Sequence, residues 1–268
     1  MSPVLLGLLV LLLLATAAAL GFMRSRAYKA VLLRRAAALA SAGRTGRMIS
    51  LLQRNRDRSS VTDPLTNALV YFFIRSGRYD EAEKVILEAM ERGDRSGASI
   101  AQLAFSAAGR GDAKAAEELY RKSLEKDPGL KRTVNVNLAM LLLESGRLDE
   151  AELLLEEALE LREGAARCGV HSNLALLHIR KGQPRDALVH AMSAYELQPA
   201  SELSRVGRAQ SLALASRASG MMGDSEQARS LAGKALKLLE GMGGVEKLAG
   251  ELAAIAEGRE SEGSVKSV

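Results

Sequence analysis

A glycine returns along this chain at an almost constant interval, each time opening the same local phrase. Five residues after it comes an alanine, then an apolar position, then a second small residue and a large one. The copies read GRYDEAEKVILEAM from Gly77, GDAKAAEELYRKSL from Gly111, GRLDEAELLLEEAL from Gly146, GQPRDALVHAMSAY from Gly182 and GDSEQARSLAGKAL from Gly223. Successive glycines lie 34, 35, 36 and 41 residues apart, and one more step of 34 back from Gly77 lands on Gly43, in a degenerate copy. A period of this size marks a supersecondary unit that cannot bury its own apolar face and must stack on its neighbours. Glycine at the junction ends one helix and lets the next fold back, because it takes positive φ without a Cβ clash. Composition agrees with helices: aromatics are 3%, Trp is absent, and there are five Pro in 268 residues. The single cysteine excludes an intramolecular disulfide framework and a Cys-only zinc site.

These copies resemble the tetratricopeptide repeat, a helix–turn–helix unit of 34 residues, over roughly residues 29–242. The resemblance implies small residues where the paired helices cross. In the first helix of each unit these are Val70 (a departure), Ala104, Ala139, Ala175 and Ser216. In the second helix they are Ala82, Ala116, Ala151, Ala187 and Ala228, and later Ala89, Ser123, Ala158, Ala194 and Ala235. The family's closing proline stands only as Pro128 and Pro199, and its Trp is missing. Larger apolar residues fill the flanks: Leu69, Phe73, Ile86 and Leu87 in one unit, Leu138, Leu142, Leu155 and Leu159 in another. Val245, Leu248, Leu252 and Ile255 fall at helical spacing and predict a capping helix over 243–257. The fold expected is an all-α solenoid of about five to six repeats across 63–242. Its degenerate first repeat lies in the basic segment 24–62, and a polar, disordered tail follows from 258 to 268.

Ahead of the repeats, after a stub of residues 1–3, the stretch 4–23 holds no charged residue. A helix of that length spans about 30 Å, the thickness of a bilayer's hydrocarbon core, so one N-terminal transmembrane helix is expected. A cleaved signal peptide with its small-residue site at Ala17-Ala18-Ala19 is the alternative; no basic side chain precedes the apolar run, and the run is long for such a peptide. Residues 24–62 carry ten Lys/Arg and one acidic residue, whereas 63–268 carry 27 and 31, so the basic excess lies beside the apolar run. That asymmetry predicts a single-pass anchor in a bacterial inner membrane, contact with anionic lipid, and the repeats on the cytoplasmic side, with a periplasmic placement as the alternative. The mildly acidic repeat region argues against a nucleic-acid partner. An anchor before the repeats is similar to the architecture of membrane-anchored bacterial regulators of lipopolysaccharide assembly, whose cysteine pairs this chain lacks.

In the family the inner face of each first helix lines a groove for a peptide or helix. Carried over, one row reads Ala68, Gln102, Asn137, Asn173 and Leu214, and the adjacent row Tyr71, Phe105, Met140, Leu176 and Arg217. The peptide-groove candidates are therefore Tyr71, Gln102, Phe105, Asn137, Met140, Asn173 and Leu176. Amides offer a donor and an acceptor to a peptide backbone, and apolar side chains form pockets. In the alternative, Asn137 and Asn173 bridge neighbouring helices and the apolar row packs inside a tight superhelix. A clamp for acidic C-terminal tails needs clustered cations, and the rows supply only the separated Arg75, Arg180 and Arg217. No phosphate loop, GxSxG elbow or HExxH pair is present. Cys168, His171 and His178 lack further ligands at metal spacing, and packing or groove lining accounts for the two histidines better. The expectation is a scaffold that binds a protein or peptide, with no catalytic residues, no metal and no cofactor.

Overall fold

The computed structural model describes Gly21 and residues 26–258, so the expected membrane span 4–23, Gly21 apart, and the tail beyond Gly258 lie outside the described residues. The described residues form thirteen α-helices and no strand. The chain divides into two compact units, Met1–Leu130 and Lys131–Val268. In the first, α1 (Arg26–Ser41) pairs with α2 (Thr45–Asn55), α3 (Pro64–Arg75) with α4 (Tyr79–Glu91), and α5 (Gly97–Gly109) with α6 (Ala113–Lys126). In the second, α7 (Lys131–Glu144) pairs with α8 (Leu148–Glu160), α9 (Cys168–Arg180) with α10 (Pro184–Leu197), and α11 (Arg205–Met221) with α12 (Ser225–Leu239). A last helix, α13 (Glu246–Ala256), packs on α12. Within each unit the second helix of one hairpin also packs on the first helix of the next. Among the described residues no helix is long and apolar enough to cross a membrane.

The recurring glycines stop the first helices by one device. Gly43, Gly77, Gly111, Gly146, Gly182 and Gly223 have φ between 68° and 83°. The residue after each donates its backbone N–H to the carbonyl five residues earlier: Arg44 to Leu39, Arg78 to Phe73, Asp112 to Ala107, Arg147 to Leu142, Gln183 to His178 and Asp224 to Ser219, at 2.8–3.1 Å. This closure satisfies carbonyls that the helix end would otherwise leave unpaired. The degenerate copy at Gly43 closes in the same way, and its hairpin joins the first unit's core through Leu32, Ala36, Met48 and Leu52, beside Leu65, Leu69 and Val70.

Small residues hold the crossings. Ala82, Ala89, Ala104, Ala116, Ala139, Ala151, Ala158, Ala175, Ala187, Ala194 and Ala235 are wholly buried, and Ala228 and the departing Val70 nearly so. Two crossings carry serines whose hydroxyls are satisfied locally, Ser123 Oγ by the Tyr120 carbonyl at 2.7 Å and Ser216 Oγ by the Ala228 carbonyl at 2.8 Å. Leu69, Phe73, Ile86, Leu138, Leu142 and Leu155 are buried as expected. Leu87 is not: Val85, Ile86 and Ala89 occupy the inward stripe of α4, and Leu87, off that stripe, is exposed. Leu159 is half-buried. The capping helix closes the second unit with Leu252 buried and Val245, Leu248 and Ile255 packed against the same cluster.

Polar links tie successive hairpins about one period apart. In the first unit Lys29 pairs with Asp63, the N-cap of α3, and Arg56 pairs with Glu88. Asp94 Oδ2 accepts from the Val61 backbone N–H at 2.8 Å. Burial pushes the Asp94 carboxyl up, but the Ser96 and Ser99 hydroxyls and the Val61 and Ser96 N–H groups outweigh it and hold its pKa at about 2. In the second unit Lys181 Nζ reaches Asp149 and Glu152 at 2.7 and 2.6 Å, and Arg205 Nε donates to the Leu238 carbonyl at 2.7 Å.

Enlarging a crossing should therefore destabilise the chain. Ala158→Leu is expected to cost about 1–3 kcal/mol in urea denaturation, against less than about 0.5 kcal/mol for Leu153→Ala on the exposed face of α8. The depressed Asp94 carboxyl contributes stability above its unfolded pKa, and that contribution is lost as pH falls from 3.8 towards 2. Between pH 5 and 2 the wild type should lose about 1–2 kcal/mol more than Asp94→Ala does, measured by denaturation at each pH.

Candidate peptide-binding face

The first helix of each hairpin buries one stripe and leaves a second stripe open, and the two rows read from the sequence fall on the second. On α3 the open stripe carries Ala68 and Tyr71; on α5 it carries Gln102 and Phe105. A spacing of three residues puts each pair on one side of its helix. Tyr71 is 59% exposed and Phe105 36%, although neighbouring Val70, Phe73 and Ala104 are buried. In the second unit Asn137 and Met140 share a side of α7, and Asn173 and Leu176 share a side of α9; all four are half-buried.

Among the described residues the three amides have no hydrogen-bond partner. Asn137 and Asn173 form no hydrogen bond with any other described residue, and the oxygen of Gln102 is out of solvent with nothing donating to it. Asn135 and Asn55 are engaged, whereas the side chains of Gln53, Asn67 and Gln210 also have no hydrogen bond among the described residues. Asn135 donates Nδ2 to Glu157 Oε2 at 2.6 Å, and Asn55 donates to the Leu51 carbonyl at 2.7 Å. Helix bridging therefore does not account for Asn137 and Asn173, and hydrogen-bonding capacity is left open where peptide backbone groups would meet it. The arginines of the rows are disposed differently. Arg180 Nη1 donates to the Leu143 carbonyl at 2.8 Å, while Arg75 is exposed on α3. A cation tied to a helix end is not available to clamp a carboxylate.

The Cys168 thiol is free and half-buried. His171 and His178 do not meet each other. Both meet His190 on α10, a residue that sequence reasoning passed over. Among the described residues no group of three or more His, Cys, Asp and Glu is placed to hold a metal ion.

A family model described as tetratricopeptide repeat matches residues 107–168, which span the end of α5 through α8 into the start of α9. The fold extends the likeness beyond the matched residues. BtubC (BKLC) from P. vanneervenii is similar with a TM-score of 0.59 at 20% identity, over 81% of this chain and 91% of that one. MamA (41-end) from Desulfovibrio magneticus RS-1 is similar with a TM-score of 0.53 at 17% identity, over 66% and 94%. The APC/C hetero-tetramer Cut9–Hcn1 contains a chain similar with a TM-score of 0.61 at 15% identity; the match covers 83% of this chain and 42% of that one. Among curated proteins no relative matches. In these hairpins the turn glycines and the crossing alanines are structural.

Because Asn137 and Asn173 support no intramolecular bond, replacing either with leucine should leave thermal stability unchanged or raise it. Asn135→Leu, which takes a donor from Glu157, should cost about 1 kcal/mol in denaturant titration.

Proposed function

We propose that this chain is a membrane-tethered scaffold whose first-helix faces hold an extended, partly apolar segment of another polypeptide. The observation that carries the reading is the pairing, on these faces, of amides without partners among the described residues and apolar side chains that are exposed or half-buried: Gln102 with Phe105, Asn137 with Met140, Asn173 with Leu176. In the first unit a bound segment would meet the side chains of Tyr71, Gln102 and Phe105; in the second it would meet Asn137 and Asn173 with its backbone and Met140 and Leu176 with its side chains. The similar chain in the Cut9–Hcn1 hetero-tetramer is one that assembles with another polypeptide, in keeping with this use of the fold.

The tether rests on the sequence and on the first hairpin. Residues 4–23 carry no charge, and no acidic residue occurs between 24 and 56. Arg26, Arg34 and Arg35 on α1, and Arg47 and Arg54 on α2, are exposed and suited to anionic headgroups. With the positive charge after the apolar run, the repeats lie on the cytoplasmic side of a bacterial inner membrane. Confinement near the bilayer raises the effective concentration of the faces for membrane-bound partners without any new contact.

Tyr71→Ala with Phe105→Ala, and separately Asn137→Ala with Asn173→Ala, should each reduce recovery of the partner from solubilised membranes by tenfold or more, with the helical melting curve nearly unchanged. Equal recovery by wild type and both variants refutes the groove. A C-terminal reporter active only outside the cytoplasm would reverse the topology and favour an exported chaperone or envelope assembly factor.

A further inference from the structure

The three histidines of this chain, two on α9 and one on α10, meet within the α9–α10 hairpin. His171 Nδ1 lies 3.0 Å from His190 Nδ1. Their ring centroids are 5.2 Å apart, so the two nitrogens lie nearly on the line between the rings. That is the geometry of one N–H donating to one lone pair, not of two lone pairs converging on an ion. On its other side His190 stacks on His178, with centroids 5.2 Å apart and planes 6° from parallel. His178 Nδ1 donates to Gln183 Oε1 at 2.8 Å, which leaves Nε2 as its basic atom, 3.8 Å from Glu152 Oε1.

We propose that His171, His178 and His190 form a proton-operated latch: the neutral trio holds α9 against α10, and protonating the accepting nitrogen of the His171–His190 pair loosens that hairpin. The neutral pair shares one proton. A proton added to the accepting nitrogen removes the lone pair, sets N–H against N–H, and places one positive charge on the accepting ring, with the His178 ring stacked on His190 alongside.

The surroundings keep the latch shut near neutral pH. Burial holds His171 below the ordinary histidine value, and the Arg167 guanidinium at the start of α9 adds to it. Burial first, then His171 and His178, bring His190 down to about 4, against the weaker opposing pull of Asp186 on α10 and Glu152 on α8. Glu152 and Asp149 are themselves engaged by Lys181, whose pKa is raised by those two carboxylates. On the remaining sides, Arg208 of α11 lies over the Tyr195 ring of α10, and Arg180 points to the Leu143 carbonyl of α7. A histidine depressed in the folded state contributes stability that is complete above its unfolded value near 6.5 and is lost as pH falls towards about 4.

Asn173 and Leu176 lie between His171 and His178 on α9, so opening would loosen part of the proposed binding face in acid. That consequence rests on the groove reading; the latch stands on the histidine geometry alone. Hydrogen exchange of the full chain in detergent, compared at pH 7.5 and 5.0 after correction for intrinsic rates, tests it without any partner. Protection of residues 168–197 should fall about tenfold while α3 to α6 stay unchanged, and His190→Gln should remove most of the difference. A histidine Cε1–H NMR titration of the wild type gives a second readout, in which at least one ring should titrate below about pH 5.5. Three independent titrations near 6.5, or an equal acid loss in wild type and His190→Gln, overturn the latch.

Discussion

The distance between paired helices governs everything else in this molecule. At every crossing the contact is an alanine, a serine or, once, a valine with almost no exposed surface. A methyl group or less between two axes brings the backbones close, and the leucines and isoleucines on either side then interdigitate at interior density. Closeness also sets direction. With one stripe of each first helix drawn tightly against its partner, the stripe bearing Tyr71, Gln102, Phe105, Asn137, Met140, Asn173 and Leu176 is left to face outward.

The same constraint sorts the polar groups into two kinds. Those that join helices are engaged: Asp63 with Lys29 and Asp94 with the Val61 amide between equivalent positions, and Asn135 with Glu157 within one hairpin. The first two span about one repeat because equivalent positions of successive hairpins are neighbours. Gln102, Asn137 and Asn173 stand outside that pattern. A half-buried amide without a partner adds little to stability. The histidine trio is a third case, engaged with itself and therefore dependent on its protonation state.

The repeating part of this structure was legible because each repeat restates the rule. Glycine at the turn, alanine five residues on and a small residue in the helix before it gave the hairpins, the crossings and the open rows, including the weak first copy at Gly43. Leu87 shows the weakness of reading apolar residues without phase. It adjoins Ile86 in a run of apolar residues, and only the 100° step of the helix decides which of the two points inward. His190 was missed because it occurs once, at a position of α10 that carries no histidine in any other copy. Asking which residue of α10 lies across from His171 and His178 would have found it. The division at Leu130/Lys131 has only a faint mark in the sequence, the closing Pro128, since the period runs through it unchanged.

The central claim is that the open stripe of the first helices grips a polypeptide. It is tested most directly by placing a photo-crosslinking amino acid at Phe105 and, in a second variant, at exposed Leu153 on α8, then irradiating cells that make the full chain. The account requires a discrete adduct with another polypeptide from position 105 and none from position 153. Adducts of equal strength from both positions, or from 153 alone, would contradict it.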